Sequence, residues 1–346
     1  MKRLLLCLCA SFLLVQSTTF ADEVTQYPDI PRIDVHTHIT SDVEAIEKFH
    51  SLRKALKDTN KIDLALWLNL GGGSDAMENN DEAMAAGQGR MLCAISDYSS
   101  HDGLKYDPAE LQQWLDRGYV GYKIWAGPAG RKLKPDEDGI RFVDNPALEP
   151  TFAKMEEIGM VGASIHIADP NGPWGARTKW LPDPVAYWKE ILAWRNVLER
   201  HPNLVVVNAH GMWSLCQDAQ IDYLRNTLST FPNLHVDLAA TFQYFNLVDR
   251  DNLRDFMIEY DDRILFGTDV GKWTEPEETE YNRQRFFQAF QILETDETIA
   301  GSFFGDQPTQ GLNLPRETLE KIYYKNAARI YPRVKESLQA LGYSVE

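Results

Sequence analysis

The stretch IDVHTHI, residues 33–39, places two imidazoles one residue apart inside an apolar run. In an extended strand, residues two apart point to the same face, so His36 and His38 project together. On a helix the same spacing would turn them about 200° apart. Two imidazoles on one strand face are placed to hold one metal ion. Asp34 shares their parity two residues deeper, where it either orients a ligand or makes a structural hydrogen bond.

Working outward, the run RIDVHTHI (32–39) is the first of eight apolar, β-rich segments. The others are IDLALWLNL (62–70), RMLCAISDY (90–98), YVGYKIWAG (119–127), MVGASIHIAD (160–169), NLVVVNAHG (203–211), NLHVDLAAT (233–241) and RILFGTDV (263–270). Between them lie amphipathic helical patterns: VEAIEKFHSLRKALK, PAELQQWLDRG, ALEPTFAKMEEIG, AYWKEILAWRNVLERHP, IDYLRNTLSTFP and LVDRDNLRDFMIEYD. Several stop at Gly118, Gly159, Pro202 or Pro232, residues that end helices. Strands too apolar to face water on either side, each followed by a helix, predict a single (β/α)8 TIM barrel. A doubly wound open sheet is the rival, but no glycine-rich phosphate turn follows the first strand. Long connections are expected after the fourth strand (GPAGRKLKPDEDGIRFVD), the fifth (PNGPWGARTKWLPD) and the eighth (GKWTEPEETEYNR), on the face where barrels do chemistry.

The C-terminal ends of the strands supply partners for the first pair. His166 lies on the inward side of the fifth strand, His210 at the tip of the sixth and Asp269 at the tip of the eighth. Each alone has a bland reading: a lone histidine is a capping or core group, and Asp269 is a helix N-cap. Together, five such groups on one rim are costly to bury without a metal or substrate to satisfy them. Nothing comparable converges on His50, His101, His201 or His235, which read as structural. Trp125 and Trp213 follow site strands closely, and Arg131, Lys132 and Arg177 sit on the long loops. These are pocket candidates against the alternative of ordinary solvated or core residues.

In HTH, SIHIAD, NAHG, FGTD and the late EKIYYKNAARIYP, the sequence resembles the amidohydrolase superfamily over about residues 30–333. It is most similar to the amidohydrolase-2 branch, which also holds the aminocarboxymuconate-semialdehyde decarboxylase type. The resemblance implies that His36, His38, His166 and Asp269 bind one divalent ion, usually zinc. It implies that His210 polarises the scissile carbonyl while Asp269 takes a proton from a metal-bound water. The reaction so implied is hydrolysis of a C–N or C–O bond in a small carbonyl substrate. The alternative is non-oxidative decarboxylation of a small carboxylic acid with the same ligands. In other branches a strand-4 lysine is carboxylated and bridges two metals, which would give Lys123 that role and put His166 and His210 on a second ion. Otherwise Lys123 contacts substrate or a carboxylate. A binding protein on a retired barrel would lack a ligand or the base, and none is missing here. Nitrogen and oxygen donors without thiolate suit zinc, manganese or iron.

Bulk properties narrow the partners. Lys2 and Arg3 precede LLLCLCASFLLV, and Thr19 and Ala21 stand where a signal peptidase reads, so residues 1–21 are expected to be a cleaved export signal. The run of about 12 apolar residues falls short of the roughly 20 needed to span a bilayer, and bulky Leu8 argues against a lipid anchor at Cys9. Residues 22–346 then form the hydrolase domain, in the periplasm or secreted. The net charge of −16 becomes more negative when Lys2 and Arg3 leave, which disfavours nucleic acid and anionic membranes as partners. Of four cysteines, only Cys93 and Cys216 lie beyond the leader, too few for a disulfide framework. A small-molecule substrate is the expected partner, and a homo-oligomer is compatible with the sequence.

Overall fold

The computed structural model describes residues 24–39, 42–70, 81–98, 104–126, 142–168, 184–271, 276–301 and 307–345. Residues 1–21, His101, Arg131, Lys132 and Arg177 lie outside the described residues.

Ten strands pair in parallel: β1 (Pro31–His38), β2 (Asp63–Asn69), β3 (Met91–Cys93), β4 (Ile95–Tyr98), β5 (Tyr122–Trp125), β6 (Gly162–His166), β7 (Val206–Asn208), β8 (Leu234–Asp237), β9 (Ile264–Leu265) and β10 (Val270–Gly271). They are the eight expected segments, with the third and the eighth each divided in two. The ladder therefore runs as two sheets, β10-β1-β2-β3 and β4-β5-β6-β7-β8-β9, and not as one continuous ring. Single backbone bonds cross the seams. Ala94 N–H reaches Asn69 O at 3.2 Å and Ile95 N–H reaches Gly121 O at 3.1 Å, while Val35 N–H reaches Phe266 O at 3.0 Å. This is the architecture of a TIM barrel.

Helices Val43–Asn60, Glu149–Ile158, Pro184–Arg200, Asp218–Thr230 and Arg250–Glu259 cover the outer face, as the amphipathic patterns predict. Gly159 ends its helix at φ +67°, a left-handed cap that glycine adopts without strain. One expectation fails. The segment GKWTEPEETEYNR read as a loop contains the start of a helix, Pro276–Glu294. Its first turns are charged, and its apolar face begins only at Phe286 with Phe287, Phe290 and Leu293, all buried. No helix of the described residues is long and apolar enough to cross a membrane.

The closing motif has a physical reading. Asn326 donates to the Asp261 and Ile264 carbonyls at 2.7 and 2.8 Å, tying the last barrel helix to the start of β9. Just before it, Lys321–Lys325 forms a π-turn, and the Ile322 carbonyl accepts the Phe266 N–H at 3.0 Å. Beyond it, Ala327, Tyr331, Val334, Leu338 and Val345 pack with strand residues including Leu66, Leu92, Ala94, Val207 and Leu265. The Tyr331 hydroxyl reaches the Ala163 carbonyl at 2.6 Å, near the N-terminal end of β6. The C-terminal segment thus packs at the end of the barrel away from His166.

Two buried charged groups at this end satisfy each other. Arg32 and Glu294 pair at 2.8 Å, almost wholly hidden from solvent. Glu294 also accepts from Tyr323 at 3.0 Å and from the Gln26 N–H at 3.1 Å, while Arg32 lies over the Phe290 and Tyr323 rings. This network joins the start of β1 to two outer helices. Glu294→Gln leaves the guanidinium uncompensated and is expected to lower unfolding free energy by about 3–5 kcal/mol in urea denaturation.

His235, two residues before Asp237 on β8, is buried with neither ring nitrogen hydrogen-bonded among the described residues. Burial, with the charges of Arg263 and Arg329, pushes its pKa down to about 3. The unfolded chain takes up this proton near the ordinary value of about 6.5 and the folded chain does not, so stability is lost as pH falls from about 6.5 toward 3. His235→Leu is expected to be at least as stable as the parent at pH 7.5. Its advantage should grow by up to about 5 kcal/mol as the pH is lowered through that window, read by denaturation at each pH.

Candidate metal centre

His36 and His38 end β1, and their Nε2 atoms lie 3.2 Å apart. Asp269 faces both: its Oδ1 is 3.4 Å from His36 Nε2 and 3.2 Å from His38 Nε2. A tetrahedral ion with bonds of about 2.0–2.1 Å holds its ligand atoms about 3.3 Å apart, so the three atoms stand at metal-binding separation. The ligand atoms of His36, His210 and Asp269 also lie within 4.8 Å of one another. His210 Nε2 is 3.2 Å from His166 Nδ1, which brings in the last of the five groups. The parity argument from the sequence holds, with one shift of emphasis. His210 belongs to the tight cluster, and the contact described for His166 runs through His210.

The main chain forces this convergence. Asp269 N–H donates to the His36 carbonyl at 2.8 Å, and Asp269 itself has a left-handed backbone, φ +64°. A Cβ on Gly267 would stand 2.9 Å from His36 Cβ and 3.3 Å from Ala239 Cβ, so only glycine lets the segment between β9 and β10 pass this close to the histidine. Asp34 sits below, accepting from the N–H groups of His36 and Thr268 at 3.0 and 3.1 Å and from the Thr268 hydroxyl at 2.5 Å. It locks β1 to the segment that presents Asp269.

On the other side, β7 ends at Asn208, and His210, Gly211, Met212 and Trp213 all have φ between +55° and +59°. Three of the four are not glycine, and each such residue costs about 1–2 kcal/mol. Contacts from helix Pro184–Arg200 hold the turn. Tyr187 donates to the Met212 carbonyl at 2.9 Å, and Trp194 donates to Asn208 Oδ1 at 2.8 Å. The turn stacks Trp213 on His210, ring centroids 4.5 Å apart, while Trp125 stacks on His166 at 4.8 Å. The two tryptophans are therefore walls of the site.

Electrostatics match the geometry. His36 donates from Nδ1 to Asp237 Oδ2 at 2.8 Å, and His210 donates from Nδ1 to the Ala239 carbonyl at 2.8 Å. Burial lowers the pKa of both rings, the charge of Lys123 adding to the effect at His36 and the nearby aspartates opposing it. Each is thus neutral with its Nε2 lone pair facing the centre. At His210, Nδ1 is on the Ala239 carbonyl and burial opposes a second proton. Burial acts to raise Asp269, but the hydrogen bond from His38 and the surrounding imidazoles hold it well below the usual carboxylate range. Among the described residues Asp34 has no cationic partner, and burial pushes it up to about 7.

Lys123 enters the barrel. It is buried on β5, donates to Ser164 Oγ at 3.0 Å, and burial lowers its pKa to about 8 against the charges of Asp269 and Asp237. Of the histidines read as structural, His50 bonds the Ala86 carbonyl and His201 lies between Glu149 and Glu156, 3.0 Å from each. Asp237 is the residue the sequence reading missed. Its signal was a carboxylate inside the apolar run LHVDLAA, on the same face as His235.

The amidohydrolase family model of the amidohydrolase-2 type matches residues 33–333, from the HTH strand to the end of the closing motif. The chain belongs to the amidohydrolase family. Among solved structures, this amidohydrolase is similar to an uncharacterized TIM-barrel protein from Bordetella bronchiseptica, with TM-score 0.50 and 17% identity over 87% of this chain and 98% of that one. That likeness shows the fold. Lower similarity is found to the apo form of Metarhizium anisopliae IDCase (TM-score 0.49, 15% identity, 86% and 80% covered). A dihydroxybenzoic acid decarboxylase from Polaromonas sp. JS666, with bound manganese and the inhibitor 2-nitroresorcinol, is similar at TM-score 0.49 and 14% identity, 89% and 99% covered. No protein of curated function matches the sequence.

The close approach at Gly267 gives a test. Gly267→Ala is expected to displace His36 and weaken divalent-ion binding at least about tenfold. The accompanying stability loss should be about 1–3 kcal/mol. Chelator competition and thermal denaturation of one preparation read both.

Proposed function

We propose that this chain is a metal-dependent hydrolase that cleaves a C–N or C–O bond of a small carbonyl substrate. The observation supporting this is the facing set of His36 Nε2, His38 Nε2 and Asp269 Oδ1 at 3.2–3.4 Å. Lone pairs and a carboxylate at that distance repel unless a proton or a cation lies among them, and nitrogen and oxygen donors at that spacing fit a divalent ion. His36, His38, Asp269 and, as the family resemblance implies, His166 would hold one ion; we propose zinc. When bound, the ion supplies a Lewis acid that brings the pKa of a water it holds toward about 7.

Asp269 is placed to take a proton from water and pass it to the leaving amine or alcohol. Its side chain and that of His38 keep 30% and 26% of their surface exposed, which leaves substrate a side of approach. His210 presents an unprotonated Nε2 to the same point and serves as proton acceptor or additional ligand. The indoles of Trp125 and Trp213 hold the two rings and exclude water from their far faces. Export, with cleavage after residue 21, is part of this proposal and is tested by the N-terminal sequence of the mature chain.

One observation favours a second reading. The buried Lys123 ammonium, bonded to Ser164 next to His36, suits a substrate carboxylate and hence a non-oxidative decarboxylase. Metal analysis of protein purified without chelator is expected to give close to one zinc per chain, lost with turnover in His36→Ala. About two per chain would instead indicate a carboxylated Lys123. Absence of binding after reconstitution would overturn the metal reading. Label from H218O entering product supports hydrolysis, whereas carbon dioxide release without label supports decarboxylation.

A further inference from the structure

We infer that Asp237 is the positioning residue that fixes the tautomer of His36 and the place of His210 together, an inference that rests on the metal-centre reading above. Asp237 ends β8, is wholly buried, and uses both oxygens. Oδ2 accepts from His36 Nδ1 at 2.8 Å, while Oδ1 accepts the His210 N–H at 2.8 Å and the Ala239 N–H at 3.1 Å. One side chain therefore touches β1, the turn after β7 and the turn after its own strand.

The chemistry of the acceptor decides what this does. An ionised carboxylate only accepts, so His36 must carry its proton on Nδ1 and turn the Nε2 lone pair toward the centre. The other oxygen neighbour of Nδ1, Ser164 Oγ, is at 3.5 Å and can donate as well as accept, so it imposes no tautomer. At the second oxygen, the His210 N–H belongs to the first residue of the left-handed turn, so the same carboxylate anchors the strained segment at its start.

An asparagine of the same shape cannot replace it. With its oxygen on the two backbone N–H groups, its amide faces His36 Nδ1 and forces the proton onto Nε2, which blocks ligation. Turned the other way, it sets its amide against two N–H donors and releases the turn. Either orientation breaks one half of the arrangement.

The test begins with the metal-free parent, 15N-labelled at histidine, with the His36 signals assigned by their loss in His36→Gln. His36 is expected to be protonated on Nδ1, and protonation on Nε2 would overturn the proposal without any Asp237 variant being needed. In Asp237→Asn, His36 is expected to move to the Nε2-protonated form. Its affinity for Zn2+ or Co2+, read by competition with a chromophoric chelator, should fall about 10–100-fold. Ser164→Ala should keep the parent tautomer and affinity. An Asp237→Asn protein with unchanged tautomer and parent affinity overturns the inference. If the parent binds neither ion, the metal-centre reading fails, and the tautomer comparison still decides what Asp237 does.

Discussion

The hydrogen bond from the Asp269 N–H to the His36 carbonyl is the contact on which the rest of the site depends. It brings the end of the eighth barrel segment against the end of the first, at the seam where the sheet ladder is interrupted. With the main chains held at 2.8 Å, the aspartate sits beside both imidazoles. Gly267 makes the approach sterically open, and Asp34 secures it from below through Thr268. A regular ladder through this region would have kept the strand extended. The left-handed backbone of Asp269 is what aims its carboxylate inward.

The two ends of the barrel do different work. At the N-terminal end, Arg32, Glu294 and Tyr323 satisfy one another, and the C-terminal segment packs apolar side chains against the strands. At the other end the backbone is left-handed through four consecutive residues, three of them not glycine, and polar atoms face one another across short gaps. Burial energy collected at one end supports strain held at the other. The helix Pro184–Arg200 connects the two regimes, since Tyr187 and Trp194 are core residues whose polar tips hold the strained turn.

Much of this was legible in the sequence because strand parity has a strict period of two. His36 with His38, and the strand-end positions of His166 and Asp269, follow from that period once the runs are recognised as strands. Three features were not legible, each for its own reason. The helix at Pro276 begins with acidic turns whose apolar face appears only from Phe286, so its start resembles a loop. The left-handed turn at His210, Met212 and Trp213 runs against local preference and exists only because Tyr187 and Asp237 hold it, residues distant in sequence. Asp237 was passed over because a single carboxylate at the end of an apolar run looks like a strand terminus. Only the three-dimensional proximity of β8 to His36 shows which atom it serves.

The π-turn at Lys321–Lys325 has a consequence for how the protein is made. The Phe266 N–H, three residues before Asp269, finds its acceptor in the Ile322 carbonyl, and the strand before it is pinned by Asn326. Both partners lie more than fifty residues later in the sequence than the groups they secure. During synthesis, the histidines of residues 36 and 38 emerge early and wait for a carboxylate whose strand is not secured until the helix Asn326–Ile330 has followed. A chain cut before this helix would carry the histidines without the support that fixes their carboxylate.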